Sequence, residues 1–402
     1  MKAFKRRIGY KGSAMNQKSA ALNIAVKEVK STRALKTFIY LPENMHRGHP
    51  RWVPPIYREE WNYFHPRKNR AFAFCDTVLA LAYREGRPAG RIMGIINRRY
   101  NASRQERNAR FCSLECVNNQ EVAHALLHYI ECWARDRGME KLVGPMGFSD
   151  QDPEGFLIEG FEHEPTLATY YNFHYIISLL EEEGYTKEVD YVVYKIDVPA
   201  EIPEFYKRIS ARLSEKSGIR PIEFSRKKDI KPYVRPVFRL MNDCFKDIYG
   251  YLPLDEGEMD ALGKKYLFIL DPRFIKLVEK NGDVVGFIIG VPNMSEGIRR
   301  ARGRIFPLGI FKILRSAKKT KQLDLLLGGI REDHRGKGLD VLLGQKMLES
   351  AQKAGFSIID SHHEIETNRK MRAEMERLGG TVYKRFRIYK KRVAGPEPRG
   401  KK

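Results

Sequence analysis

Two distant segments repeat one hydrophobic–polar pattern. Tyr83-Arg-Glu-Gly-Arg-Pro-Ala-Gly90 and Glu279-Lys-Asn-Gly-Asp-Val-Val-Gly286 are short polar stretches, each set between two apolar runs. Each predicts strand, tight turn, strand. Gly86 and Gly282 lie 196 residues apart, as do Asn97 and Asn293 further on. The later pattern also recurs. Asn172 and Asn368 each open a helical segment that ends at a glycine, Gly184 and Gly379, before a tyrosine-rich strand. Between these landmarks the order is hairpin, strand, helix, strand, helix, strand.

Helices alternating with strands predict an α/β chain, a mixed and mostly antiparallel sheet with flanking helices, built twice. The expected domains are 22–198 and 219–393, joined by a linker at 199–218. A basic disordered tail is expected at 1–21 and a second tail at 394–402. The first 35 residues hold nine Lys/Arg against one acid, Glu28.

Composition narrows the class. Apolar residues are 42% of the 402 and charged residues 31%, which suits a globular chain. No stretch approaches the ~18 consecutive apolar residues of a membrane span. The longest apolar run near the N-terminus is too short and broken for a secretion signal. Five cysteines in no C-x-x-C spacing predict reduced, buried thiols and a cytoplasmic location, with no metal. The net charge of +23 predicts an anionic partner: a phosphate-rich cofactor, an anionic membrane or nucleic acid.

The chemistry concentrates in the second half. Leu323 to Ile330 has strand length, and Leu339, Leu342, Leu343 and Met347 mark one face of a helix. Between them lies Arg331-Glu-Asp-His-Arg-Gly-Lys-Gly338. A glycine loop feeding a helix N-terminus suits a phosphate, because the first helical amides lack acceptors and the helix end is partly positive. Arg335 and Lys337 add charge, and Gly336 and Gly338 permit close backbone approach.

Arg335-Gly336-Lys337-Gly338-Leu339 resembles the pyrophosphate loop of the GNAT acyltransferase superfamily, with Asp333 departing from the usual Gln/Arg. The resemblance covers most of the second half, from the Asn281-Gly282 hairpin to the unit running from Asn368 to Lys390. Trp52-Val-Pro-Pro55, Gly144-Pro-Met-Gly-Phe-Ser149, Arg304-Ile-Phe-Pro307 and Tyr383-Lys-Arg-Phe-Arg-Ile-Tyr389 are further similar to an uncharacterised bacterial group with tandem GNAT-like domains. The resemblance implies acetyl-CoA or a longer acyl-CoA as co-substrate. It implies a fourth strand splayed from the fifth, with the acyl-pantetheine between them along Leu326 to Ile330. Gly328-Gly329 is the expected bulge. The implied acyl-CoA contacts are Leu327, Gly328, Gly329, Ile330, His334, Arg335, Gly336, Lys337, Gly338, Leu339 and Asn368.

Acyl transfer to an amine or hydroxyl needs a base. Asp360, His362, His363, Glu364 and Glu366 lie near the fifth strand, and alternation puts Asp360, His362, Glu364 and Glu366 on one face if the strand runs that far. Glu364 or Glu366 is the favoured base. The position seven residues after Asn368, where the family often has a proton-donating Tyr, is Met375, which leaves Tyr383 as substitute. A non-catalytic acyl-CoA-binding module and a basic membrane- or RNA-associated protein stay open as alternatives.

Phe111 to Val122, the matching point of the first half, has no glycine pair and no cation, so that half is expected to be degenerate. The aromatic residues of the acidic loop Gly144 to Phe161 either line an acceptor pocket or cap the core. The insert Ile298 to Lys321 mixes bulky apolar residues with cations. Three roles compete: a lid over the acyl site, then peripheral contact with an anionic membrane at the inner membrane surface, then nucleic acid, which is unlikely.

Overall fold

The computed structural model describes residues 24–166, 169–214 and 218–393. The tails expected at 1–21 and 394–402 lie outside them. The first half runs β1 (Ile24–Glu28), α1 (Thr32–Met45), α2 (Tyr57–Tyr63), β2 (Cys75–Arg84), β3 (Arg87–Asn97), α3 (Arg98–Arg104), β4 (Asn108–Cys116), α4 (Gln120–Arg135), β5 (Lys141–Gly144), β6 (Phe156–Glu159), α5 (Tyr175–Glu182) and β7 (Thr186–Asp197). The second continues with α6 (Glu204–Ser214), β8 (Ile219–Glu223), α7 (Lys227–Ile230), α8 (Val234–Phe245), α9 (Glu256–Ile269), β9 (Ile275–Lys280), β10 (Asp283–Pro292), α10 (Ser295–Arg300) and α11 (Gly309–Lys319). It closes with β11 (Gln322–Ile330), α12 (Leu339–Lys353), β12 (Ile358–Asp360), β13 (Glu364–Ile365), α13 (Arg369–Arg377) and β14 (Thr381–Arg392).

Both expected hairpins form. Glu85 and Gly86, and likewise Asn281 and Gly282, take positive φ at the two turn positions, the geometry that matches strand twist in a two-residue hairpin. Gly184 and Gly379 follow their helices in the left-handed region, as the pattern predicts. Asn368 caps α13 by accepting from the Met371 amide at 3.3 Å. Asn172 does not cap α5. Its side chain accepts from the Leu157 amide and donates to the Leu157 carbonyl, standing in for a strand partner.

The strands form one sheet in the order β1-β2-β3-β4-β5-β14-β7-β12-β11-β10-β9-β8. Among the described residues only β4–β5 and β11–β12 pair in parallel. The centre holds a result that the repeat does not announce: the two halves exchange their last long strands. β14 pairs with β5 of the first half, and β7 pairs with β12 of the second. β7 and β14 then pair with each other, antiparallel, from Thr381↔Lys195 to Lys390↔Thr186.

The cores follow the exchange. Tyr389 from β14 is buried with Phe111, Leu126, Ile130 and Trp133. Val192, Tyr194 and Ile196 from β7 are buried with Leu323, Met347, Phe356 and Ile359. Helix α6, inside the expected linker, packs against α12: a Cβ added at Gly338 would meet Ile209 at 2.8 Å and Leu213 at 3.3 Å.

The insert is not a lid over β11. Its apolar interior, Ile298, Ala301 and Ile313, packs on Val53 and Ile56 of the first half. The Tyr57 amide donates to the Gly303 carbonyl at 3.0 Å. The bulky residues Phe306, Leu308, Phe311 and Leu314 are left facing solvent, because the inward positions of α11 are taken by others.

A protease site introduced at Ala200–Glu201 tests the exchange. After cleavage the two fragments are expected to co-elute as one species on size exclusion, because β7 and β14 each complete the other fragment's sheet. Fragments that separate under native conditions contradict this pairing.

Candidate functional site

The site begins as a fork between two parallel strands. β11 and β12 pair only at Gln322↔Ile358, Leu323↔Ile359 and Asp324↔Asp360. Past that point the chain leaves β11: the Ser361 amide donates to the Tyr194 carbonyl, and β13 pairs with β7. Leu325 to Ile330 of β11 then have no strand partner on that side among the described residues. The bulge sits at Leu326, between the Ile289↔Leu327 and Gly290↔Leu325 pairs, and not at Gly328-Gly329. A Cβ added at Gly328 would meet nothing closer than 3.6 Å, so this wall is open.

At one end of the fork stands α12. Gly336 and Gly338 both have positive φ, and no side chain caps the helix. Its first amides are therefore unclaimed. A Cβ at Gly336 would meet nothing within 4 Å. Arg335 is tethered, its Nε donating to the Ile330 carbonyl at 3.1 Å. Lys337 is exposed. His334 and Leu339 are buried, with His334 Nδ1 2.6 Å from Asp333, so these two shape the loop. Asn368 is occupied as a cap. The equivalent helix of the first half, α4, is capped by its own Asn119, which accepts from the Val122 amide at 2.9 Å. There the Met146 amide donates to the Phe111 carbonyl at 2.8 Å, and beyond it a small cavity is lined by Ser113, Leu114, Glu115, Pro145 and Tyr170.

At the other end, where the strands part, charge is buried. Asp324 and Asp360 are 0% exposed and Lys384 1%. Lys384 Nζ lies 3.0 Å from Asp360 Oδ2. Tyr383 donates to the same oxygen, and the His362 amide donates to Asp360 Oδ1 at 2.7 Å. The register slips between Val382 and Lys384, which brings both Tyr383 and Lys384 to Asp360. Burial works against the Asp360 charge, but Lys384 and these donors hold its carboxyl below the usual range. Burial and the neighbouring Asp360 charge raise Asp324, which accepts from Gln322 at 2.8 Å and Asn293 at 2.9 Å. One carboxylate balances one ammonium, and the second carboxyl stays protonated.

The break after Asp360 undoes the expected alternation. His362 takes positive φ. Asp360 pairs across from Lys195, whereas Glu364 pairs across from Val192. Those are opposite faces of β7, so Asp360 and Glu364 do not share one. Burial pushes Glu364 up to about 8. Glu366 is tied to Lys187 and to Arg385. His363, just before Glu364, turns to the other side. It stacks on Tyr191 at 5.2 Å and lies 4.4 Å from Phe386. Its Nε2 is buried with no partner among the described residues, and burial holds the ring well below its usual value, neutral.

Beyond Tyr191 lies a buried acidic cluster from the first half. Burial raises Glu154 and Asp152 and pushes Asp150 to about 7. Tyr63 donates to Asp152 at 3.1 Å. Arg110 is nearby but donates to the Gly147 and Phe148 carbonyls, leaving its Nη2 unpaired. The acidity of the loop was visible in sequence. Asp324 left a fainter trace, as a lone acid inside an apolar run, and Lys384 left none.

The buried pair makes a stability prediction. Lys384→Met strands the Asp360 charge and is expected to cost about 3–5 kcal/mol in urea unfolding at pH 8. The loss is expected to be smaller at pH 5, where the unpaired carboxyl takes a proton. Adding Asp360→Asn is expected to recover at least half.

No family model matches the chain. It is 28% identical over 381 residues to the bacterial ceramide synthase of Caulobacter vibrioides (strain NA1000 / CB15N), covering 93% of this chain and 98% of that one. It is 25% identical over 372 residues to protein YghO of Escherichia coli (strain K12), covering 89% and 93%. Among solved structures it superposes on a tandem GNAT protein from the clavulanic acid biosynthesis pathway with TM-score 0.52 at 12% identity, over 93% of this chain and all of that one. A GCN5-related glucosamine N-acetyltransferase region of a fungal enzyme gives TM-score 0.53 at 9% identity, over 93% of this chain and 38% of that one. The chain has the GNAT acyltransferase fold, built twice in tandem.

Proposed function

We propose that the protein is an acyl-CoA-dependent N-acyltransferase with a single active site in its second half, forming an amide on a long-chain amino alcohol. One observation carries the reading: the open β11–β12 fork runs from an uncapped helix N-terminus at Gly338 to a buried proton-holding cluster at Asp360. The equivalent helix of the first half is capped by its own Asn119 and is preceded by no glycine pair. The acceptor class comes from the ceramide synthase relative, since a ceramide is the amide of a fatty acid with such an amine.

The residues divide the work. The amides from Gly336 onward, with Arg335 and Lys337, suit the pyrophosphate of CoA. The free edge of Leu325 to Ile330 suits an extended pantetheine. The amine arrives as an ammonium, its ordinary pKa near 10, and Asp150, charged above about 7, attracts it. Neutral His363 takes its proton through the unpaired Nε2. The amine nitrogen then attacks the thioester carbonyl carbon, the carbon–sulfur bond breaks, the thiolate leaves, and the nitrogen's second proton replaces the one that Tyr383 gives to the sulfur. Tyr383, held by Asp360, stands at the fork as the proton donor to that sulfur. Glu364, on the opposite face, and Glu366, fixed by two cations, are outside this path.

The direct test is release of free thiol from acyl-CoAs of graded length, with and without a long-chain amino alcohol. Release that requires the amine is expected. Absence of release with every pair sinks the enzyme reading and leaves a binding module. Arg335→Gln/Lys337→Gln is expected to weaken acyl-CoA binding by about tenfold or more, measured calorimetrically.

The acceptor side is tested by pH. Asp150 is charged above about 7, so KM for the amine is expected to fall by about tenfold between pH 6 and pH 8. Asp150→Asn is expected to flatten that dependence. His363→Gln is expected to lower kcat by about 10²-fold or more with acyl-CoA affinity unchanged. If Glu364→Gln does this and His363→Gln does not, the base assignment is wrong.

A further inference from the structure

The insert between β10 and β11 has a face that the acyl-transfer reading leaves unused. Its inner side is fixed. Ile298, Ala301 and Ile313 are buried against the first half, Arg304 makes two 2.9 Å contacts with Glu43, and Arg299 bonds Glu164 and the Pro50 carbonyl. Its outer side is apolar and bare. Phe306 is 73% exposed, Phe311 65%, Leu308 64% and Leu314 49%. Elsewhere among the described residues, Phe205 is the one other large apolar side chain so exposed. Four such residues within nine positions on an anchored platform form a surface that folding alone does not require.

Charge selects what that surface meets. No acid occurs between Glu296 and Asp324. Arg299, Arg300 and Arg304 have carboxylate partners. Arg315, Lys318 and Lys319 are exposed and have none among the described residues, while exposed Arg302 lies near Glu43 and exposed Lys312 donates to the Arg300 carbonyl. Ile310, Ile313 and Ala317 take the inward positions of α11 and Phe311 and Leu314 the outward ones, the division of a helix lying along an interface. Protruding rings and leucines ringed by free cations fit a layer with phosphates outside and hydrocarbon beneath.

We propose that this insert seats the protein on an anionic lipid bilayer. Phe306, Leu308, Phe311 and Leu314 enter the headgroup–acyl boundary, and the free cations meet lipid phosphates. The platform stands on the active-site cluster. Asn293, which binds Asp324, lies two residues before α10 starts, and Ser295 donates to the Pro165 carbonyl at 2.7 Å, next to Glu164. Docking rests on the surface alone. That it places the fork beside a membrane-borne amphiphile rests on the acyl-transfer reading.

Co-sedimentation of the full chain with phosphatidylglycerol-containing and pure phosphatidylcholine vesicles tests docking. Binding to the anionic vesicles is expected, falling between about 0.05 M and about 0.5 M salt. The variant Phe306→Ser/Leu308→Ser/Phe311→Ser/Leu314→Ser is expected to lose about tenfold or more of that binding. Thiol release from a short, water-soluble acyl-CoA is expected to stay unchanged in it. Arg315→Gln/Lys318→Gln/Lys319→Gln is expected to weaken binding and flatten its salt dependence. Wild-type protein that stays in the supernatant with anionic vesicles at low salt overturns the proposal. So does a serine variant that binds as well as wild type. A dimer that the serine variant dissolves, with vesicle binding intact, assigns the face to a second copy and also overturns it. Acyl transfer failing while docking succeeds overturns only the enzymatic reading.

Discussion

The pairing of β7 with β14 is the interaction on which the rest depends. Each strand is the last of its half, and each closes the other half's sheet. The junction is a continuous ladder with side chains buried on both faces: Tyr389 and Phe386 from one strand, Tyr194 and Ile196 from the other. Two domains joined by a linker alone would share a modest surface and move against each other. Here relative movement has to break backbone hydrogen bonds in the middle of a sheet. That rigidity holds a first-half loop close to the second-half strand break, because Tyr191 on β7 touches His363 and neighbours Glu154.

The same duplication gives opposite electrostatic results in its two copies. In the first, Asn119 satisfies the helix end, the chain folds back onto β4, and Glu115 pairs with His46 and Arg91. In the second, a glycine cap leaves the helix end unsatisfied, and the chain turns away from β11. An unsatisfied helix end is affordable only where solvent or a ligand supplies the acceptor. Of this pair of helices, α12 leaves its end for an acceptor from outside and α4 fills its own.

Much of this was legible. Turn glycines, helix-ending glycines and the apolar stripe of α12 are local signals, and local physics honours them. The Arg335 to Gly338 loop is a local signal too. What was not legible is non-local. No feature of the β14 sequence says whether it lies beside β5 or β12, because both are short apolar strands with a vacant side. The two-residue alternation failed at His362 because a positive-φ residue resets the register, and histidine does not advertise that conformation as glycine does. Lys384 sits in a strand rich in Lys and Arg, and burial picks it from its neighbours only through a slipped register at Tyr383. The acidic loop could be read as a cap or as a pocket until the exchanged strand brought it to the fork.

The exchange also orders events during synthesis. β5 and β7 emerge early, yet the strand between them is encoded at the far end of the chain. At about 5–20 residues per second the ribosome needs about 10–40 s to deliver β14 after β7. For that interval the nascent first half holds a gap with two unpaired edges, flanked by Phe156, Tyr191 and Val193. Such edges recruit other strands. The first half's sheet is therefore completed only by the strand that is made last.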